Sequence, residues 1–502
     1  MPVRSSRSLV AAIALAAAAM GSAPTPGLSQ AAAPIWPSAR FASDSAVQMG
    51  MTASFGPVGT TGSADSLPCP DCHPPKRFWA GAGELMIVQA IPWAFNRYVR
   101  DAEFARIGPE SWKTNLKYAW QWDNNMFANN QFAHPYHGSL YYNTGRTNGY
   151  SFWQSVPWAF GGSLMWELFG EVWAPSPNDL LNTSLGGITL GEMLFRFSSL
   201  TLDNRATGGN RAVREIGATL INPVRGFNRL VRGEMNDISE NPADWRPTKI
   251  QAVMDVGYRR FSSSASLSAS DAQNQAFLQF SVFYGDQVTD LGKAPFSSFQ
   301  MVGALATVSE NESRGRITDL RVRGNLAARP VGSGDQTQLA GFMTYEYISN
   351  PVIDFGGQGF QAGILSRTAP SKPWVFYGEA MARAMPIAAI RSDYFVTAEG
   401  RDYDYGVALG GRLEGRALWR GKATLRLGGG YIWLPVISGF SGNHNPFTVN
   451  TDVRGYLWRK IGVGASYTQL WRRSRYTYNP DVDRNSSEGR LFLSLATPRW
   501  EQ

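Results

Sequence analysis

From residue 249 onward, apolar and polar residues alternate with a period of two, and this pattern constrains the fold more than any other feature of the chain. In 249–259, Ile250, Ala252, Met254, Val256 and Tyr258 oppose Gln251, Val253, Asp255, Gly257 and Arg259. In 405–419, Tyr405, Val407, Leu409, Leu413 and Trp419 share one face, while Arg412, Glu414 and Arg416 share the other. The same reading holds in 276–285 and 448–457. About twelve such segments of roughly 10 to 14 residues follow one another, separated by turns rich in Gly, Ser, Asn, Asp and Pro, as a transmembrane barrel requires. A soluble sandwich also alternates, but its strands are nearer five or six residues. The length therefore favours a transmembrane antiparallel β-barrel of about twelve strands.

Composition agrees with that expectation. Aromatics make up 13% of the chain, there are 52 glycines, and mean hydropathy is below zero. These values suit strands with one wet face and not a bundle of membrane helices. Tyr258, Tyr284, Tyr405, Trp419, Tyr431, Trp433, Tyr467 and Trp471 are candidates for the interfacial girdles. If the apolar face meets lipid, then Asp255, Arg259, Arg321, Arg323, Glu379, Arg383, Arg412, Glu414, Arg416, Arg426, Asp452 and Arg454 line the lumen. They would form either a salt-bridged network or an anion-attracting pore.

The net charge of +8 is carried mostly by arginine, which suits phosphate and carboxylate groups. Outer-membrane phospholipid or lipopolysaccharide is the expected neighbour, and nucleic acid is not. The last segment, "RLFLSLATPRWEQ", places alternating leucines before Trp500 and resembles the signal read by the barrel-assembly machinery, although Pro498, Glu501 and Gln502 depart from it.

At the other end, residues 1–31 combine Arg4 and Arg7 with an apolar run and small residues, the pattern of a secretory signal peptide. The expected destination is the bacterial outer membrane of a Gram-negative envelope. Residues 32–76 read as an unstructured leader that carries "CPDCH". Cys69, Cys72 and His73 match a c-type haem attachment motif, and the plainer alternative is a small disulfide or redox-sensitive turn. No cofactor is expected.

Between these regions, 77–240 reads as helical and 248–500 as the barrel. The stretches "NNQFAHPYHGSLYYNTGRTNGYSFWQS", "GGSLMWELFGE", "SPNDLLNTSLGGITLGEMLFRFS" and "REIGATLINPVRGFNRLVRGE" occur in order. Together they resemble Domain of Unknown Function 3943 (DUF3943), a family of exported bacterial proteins often followed by a barrel-like region. The resemblance implies no catalytic residues. Backbone hydrogen bonding would place these helices as a plug in the lumen or a cap at the periplasmic mouth, with "HPYHG" as a turn.

The helical region supplies the candidate chemistry. Ser163, Glu167 and Glu171 fall at i, i+4 and i+8 of a helix expected over 147–171. Glu167 and Glu171 form with His134 and His137 a candidate catalytic or metal-ligating group whose metal is left open. The bland alternative pairs Glu167 and Glu171 with Arg146 or Arg196 and lets the histidines cap a turn. Arg146, Asp179, Glu192, Arg196, Arg225 and Arg229 stand as candidate binding residues, with Glu192 and Arg196 at intrahelical pair spacing. "GITLG" spaces small residues for close helix contact. Arg214, Arg225, Arg229 and Arg232 share a face that would meet head groups, line the barrel or be solvated.

Three functions compete on these residues. The first is an envelope-structural protein or gated channel. The second is an enzyme acting on phospholipid or lipopolysaccharide, with His134 or His137 as base and Glu167 or Glu171 orienting it. The third is a haem or redox protein. The weight falls on a non-enzymatic role.

Overall fold

The computed structural model describes residues 67–497, apart from 119, 310–311, 333–335, 351–352, 370–372, 420–421 and 459. The signal-peptide reading and the Trp500 assembly signal lie outside the described residues. Twelve strands form one closed sheet: β1 Ile250–Ser262, β2 Gln273–Tyr284, β3 Phe299–Ser309, β4 Glu312–Pro330, β5 Thr337–Ser349, β6 Asp354–Arg367, β7 Trp374–Arg391, β8 Tyr403–Trp419, β9 Ala423–Ser438, β10 Gly442–Trp458, β11 Ile461–Tyr476 and β12 Val482–Ala496. Each strand pairs antiparallel with its sequence neighbour, and β1 closes on β12 with Val256 opposite Leu493. The shortest strand has 11 residues and the longest 19, so each is long enough to cross a bilayer.

The strand register decides which face is inside. Arg323 on β4 donates to both carboxylate oxygens of Glu379 on β7 at 2.9 Å, and Arg454 on β10 reaches Asp255 on β1 at 3.0 Å. Such non-adjacent strands meet only across the lumen. Glu379 is also approached by Arg412 at 3.3 Å, and Glu414 is held by Arg412, Arg416 and Arg426. The charged residues expected in the lumen are therefore there, as a paired network. Apolar layers lie on either side of it. Toward the chain termini, Val288 and Leu291 of the β2–β3 connection pack against Phe342, Leu365, Tyr377 and Met381. Toward the opposite rim, Phe355, Met385, Ile390, Leu434 and Leu470 pack together.

The other face of the barrel is apolar and exposed over β8 to β12 and β1, including Leu413, Leu427, Val453, Leu491 and Leu493. A large aliphatic side chain left in water forgoes about 1.5–3 kcal/mol of burial energy, so a continuous belt of them is matched to hydrocarbon. The structure is a transmembrane-type barrel. Of the eight candidate girdle aromatics, Tyr258, Trp419, Tyr431, Trp433 and Tyr467 are exposed, whereas Tyr284 and Tyr405 are buried.

Those two tyrosines are buried because the helical region covers them. Its helices are α1 Phe78–Tyr98, α2 Pro109–Lys117, α3 His134–Arg146, α4 Phe152–Met165, α5 Pro177–Leu181, α6 Gly187–Thr201, α7 Gly208–Ile221 and α8 Pro223–Val231. Tyr403 and Tyr405 share strand parity with the exposed Leu409 and Leu413, so they point outward. By the same parity Gly356 and Gln358 share the outer face of Phe360 and Ile364. Tyr345 Oη donates to the Gln131 carbonyl at 2.7 Å, and Asn130 Nδ2 donates to Tyr403 Oη at 2.9 Å. Gly356 is required at this contact, since a Cβ there would fall 2.4 Å from Gln131 Oε1.

The covered strip starts at the terminal rim on β2 and β3, where Phe197 packs on Phe299, and reaches the far rim at the start of β8. The helices thus neither plug the lumen nor cap its mouth; they lie along the outside wall. The outward face is apolar and aromatic in either case, which is why alternation alone pointed to lipid.

Two local features of the helices also differ from expectation. "HPYHG" is not a turn. A π-helical turn at Asn129–Ala133 leads straight into α3, and the wider turn accommodates Pro135, which lacks an N–H. A second π-helical turn, Trp166–Gly170, ends the helix that starts at Phe152. It puts Glu171 in extended backbone at φ −144°, so Glu171 leaves the face it was expected to share with Ser163 and Glu167.

Candidate functional site

The helical region gathers four carboxyl groups beside the barrel wall. Asp179 sits on α5, whose start is capped by Ser176 Oγ accepting from the Asp179 N–H at 3.3 Å. Glu167 accepts the Ser176 N–H at 2.8 Å. Asp123, on the segment before α3, accepts from Asn130 Nδ2 at 2.9 Å. Glu171 is the fourth, its carbonyl held by Asn115 at 2.9 Å. Burial and then mutual repulsion push Glu167, Glu171 and Asp179 well above the usual carboxylate range. The three therefore hold protons at a pH where ordinary carboxylates have lost them.

The barrel completes this centre. Tyr405 Oη receives hydrogen bonds from Gln131 at 3.2 Å and from Asn178 and Asn182 at 3.3 Å. Arg401 donates to the carbonyls of Asp123 and Tyr403, at 3.4 and 3.1 Å, and stacks over the Tyr405 ring. The role of Asp123, Arg401, Tyr403 and Tyr405 was missed from sequence. The only signal was two outward tyrosines close together at the start of a strand, which read equally well as a girdle.

His134 lies next to this group. Its Nδ1 is 3.2 Å from Thr183 Oγ1, and its Nε2 is 3.9 Å from Asp179 Oδ1, beyond hydrogen-bond range. Burial lowers its pKa, keeping the ring neutral. Thr183, His134 and Asp179 follow the order of a nucleophile, base and orienter, yet a protonated Asp179 at that distance does not polarise the ring, and Thr183 is buried.

His137 faces elsewhere. Its ring stacks on Tyr141 at 5.1 Å and meets Trp166 at 5.5 Å, and burial with repulsion from His134 brings it down to about 4. Glu167, Glu171 and Asp179 are thus brought together with His134 beside them, and His137 is not part of that centre. Among the described residues, no group of three His, Cys, Asp or Glu side chains is arranged to hold a metal ion.

The expected pairing of Glu167 and Glu171 with Arg146 or Arg196 does not occur. Both arginines bind Glu192 instead, each through Nε at 2.8 Å, with Tyr142 Oη adding a bond of 2.8 Å. The Glu192–Arg196 intrahelical pair forms as expected. "GITLG" also acts as expected: a Cβ on Gly187 would lie 2.4 Å from the Gly138 backbone, so α6 and α3 touch through bare backbone.

The arginine face of α7 and α8 meets none of its three expected environments, because it turns into the helical region itself. Arg229 donates to both oxygens of Glu215, at 2.9 and 2.8 Å. Arg225 lies between the rings of Phe195 and Trp245, 4.7 Å from each centroid. Arg214 donates to the Thr201 carbonyl and Arg232 to the Thr147 carbonyl, at 3.1 and 3.3 Å.

Cys69 and Cys72 are joined in a disulfide, the plainer of their two sequence readings. Both sulfurs that a haem linkage would use are bonded to each other. His73 is exposed beside them.

Fold and site together define a closed, ion-packed transmembrane-type β-barrel carrying a polar-cored helical domain on its outer wall. Within that domain, residues 119–224 match the model described as Domain of unknown function (DUF3943). No curated protein matches the chain in sequence. Among solved structures, the chain is similar to the NanC porin at 13% identity, covering 48% of this chain and 98% of that one with a TM-score of 0.26. It is similar to an anion-selective porin from Comamonas acidovorans at 8% identity, covering 50% and 99% with a TM-score of 0.24. An outer membrane channel from Pseudomonas putida F1 gives 10% identity, 52% and 100% coverage and a TM-score of 0.27.

Proposed function

We propose that this protein is a non-conducting, envelope-structural protein of the bacterial outer membrane, in which the barrel is the anchor and the helical region is the part displayed along its wall. The observation that carries this reading is the cross-lumen pairing of Arg323 with Glu379 and of Arg454 with Asp255, with an apolar layer on each side. Ions and solutes have no reason to displace pairs that already satisfy one another. A gate made by the helices is not supported, since they lie outside the lumen.

Export, insertion by the barrel-assembly machinery, and contact with phospholipid or lipopolysaccharide belong to the same reading. Outward Arg473 beside Tyr431 and Trp471 near the far rim offers a phosphate partner to such lipids, while neighbouring Arg475 pairs with Asp481 and Asp483. The enzymatic reading finds no support in the separation of His137 from Glu167 and Glu171.

Planar-bilayer recordings of the purified full chain test this function. Silent membranes at protein levels where a known porin conducts are the expected result, and stable conductance steps from wild-type protein would overturn it. Location is tested separately by outer-membrane fractionation and by a gel-mobility shift on boiling. A chain that stays soluble without detergent and shows no shift sinks the membrane reading.

A further inference from the structure

The helices α7 and α8 are inverted relative to those of a water-exposed domain. Leu230 is 64% exposed while its neighbour Arg229 is 3% exposed. On α7 the buried face carries Arg211, Arg214 and Glu215 together with Ala218 and Ile221, while the large apolar Val213, Ile216 and Leu220 are exposed. On α8, Arg225, Asn228 and Arg229 are buried along with Val224, with Phe227, Leu230 and Val231 outside. Solvated helices show the opposite arrangement.

Next to this face a groove of about 610 Å³ opens between α1, α3 and α8, within the roughly 300–1,000 Å³ usual for small-ligand sites. Its walls are largely apolar and include Ile87, Ile91, Phe95, Leu140, Val224 and Phe227, with Glu84 and His137 as polar points. The groove is continuous with the barrel's outer wall. Phe132 lines it and also packs on outward-facing Tyr347, with ring centroids 5.5 Å apart.

We propose that the helical region is embedded in the hydrocarbon of the bilayer beside the barrel, with the inverted faces of α7 and α8 against lipid tails and a lipid acyl chain seated in the α1–α3–α8 groove. No described helix is long and apolar enough to cross a membrane by itself. None needs to, because the helices satisfy their own amides and rest on a wall that already spans. The covered strip runs from the terminal rim at β2–β3 to the far rim at β8, so the helices lie alongside the depth at which the barrel meets tails. Paired charges inside and aliphatic side chains outside is the arrangement hydrocarbon selects. This inference rests on the membrane reading above.

The test uses the full chain with its native disulfide, so an introduced cysteine is the only free thiol. Ile91→Cys, Leu230→Cys, Leu493→Cys on the barrel belt and Ser266→Cys on the β1–β2 connection are each labelled with bimane. They are reconstituted in phosphatidylcholine vesicles with brominated tails. Bromine is expected to quench positions 91, 230 and 493 alike and several-fold more than 266, with aqueous iodide showing the reverse.

If 493 is quenched by bromine while 91 and 230 answer only to iodide, the inference fails and the membrane reading stands. If 493 also answers only to iodide, both fail. Protection of 91 and 230 from both quenchers means a second protein surface covers them, which also overturns the inference. For the groove, a phosphatidylcholine with a tail diazirine is expected to label peptides containing Ile91, Leu140 and Phe227. Labelling confined to the β12 peptide containing Leu491 and Leu493 removes the acyl seat.

Discussion

The barrel and the helical region both turn charge inward, but they balance it differently. In the lumen the carboxylates expected there have arginine partners: Glu379 has Arg323 and Arg412, and Glu414 has three. The helical region has matched centres, Glu192 with Arg146 and Arg196 and Glu215 with Arg211 and Arg229, and an unmatched centre in which Glu167, Glu171 and Asp179 face one another and Asp123. Matched pairs favour rigidity. An unmatched carboxyl cluster is tolerated only by retaining protons, and it sits where the helices meet Tyr403 and Tyr405. The wall-bound helices therefore hold a centre whose contribution to stability is lost as pH rises.

The strongest way to break the comparison is Gly138→Val. Even a single Cβ there would lie 1.8 Å from the Thr183 carbonyl oxygen, so α3 and the turn before α6 must separate. A loss above about 4 kcal/mol is expected, in the range reserved for such clashes. Helical circular dichroism should fall while the barrel keeps its mobility shift on boiling. Loss of both together would show that the halves fold as one unit.

Glu192→Ala comes next. It strands two buried guanidinium groups and the Tyr142 hydroxyl, and breaking a buried pair from one side costs about 3–5 kcal/mol. Thermal unfolding followed by helical circular dichroism reads this loss. Glu192→Gln, which keeps an acceptor, should lose less.

Tyr405→Phe removes the hydroxyl that receives Gln131, Asn178 and Asn182, and unsatisfied buried donors cost about 1–3 kcal/mol in all. The expected readout is faster proteolysis within 120–186 with the barrel intact. Unchanged proteolysis would mean that apolar contacts such as Phe132 on Tyr347 hold the helices to the wall unaided.

Asp179→Asn gives the smallest effect, and in the opposite direction. The folded pKa of Asp179 is raised by burial and then by Asp123, so its contribution to stability is complete below the ordinary aspartate range and is lost as pH rises through the folded value. The variant should be more stable than wild type at pH near 8, because the neutral amide carries no penalty for ionising in the buried cluster. The advantage should vanish in acid. An equal gain at every pH would show that the cluster is not the source.

Much of the barrel was legible because its physics is local. Alternation places Asp255, Glu379 and Glu414 on one face whatever lies around them, and closure then makes that face the lumen. Gly187 and Gly191 announced a close helix contact for a similar reason: nothing but backbone is there to be touched. The helical region was less legible where one residue's role depends on a distant one. Glu171 left its expected face because a π-helical turn shifts register at Trp166–Gly170, and spacing counts assume 3.6 residues per turn. The arginines of α7 and α8 read as a face for head groups, the lumen or solvent, since no local pattern distinguishes a charged face turned outward from one turned toward Glu215.

Sequence by itself determined the strand content, the polar and apolar sides of each strand, and the presence of a helical region with the DUF3943 motifs. Each follows from side-chain periodicity and backbone hydrogen bonding within one segment or between neighbours. Only the tertiary structure decided that the helices lie outside the barrel and that Tyr405, Asp179 and Asp123 share a centre. An outward strand face is chemically the same whether lipid or protein covers it, so three-dimensional packing had to make that choice.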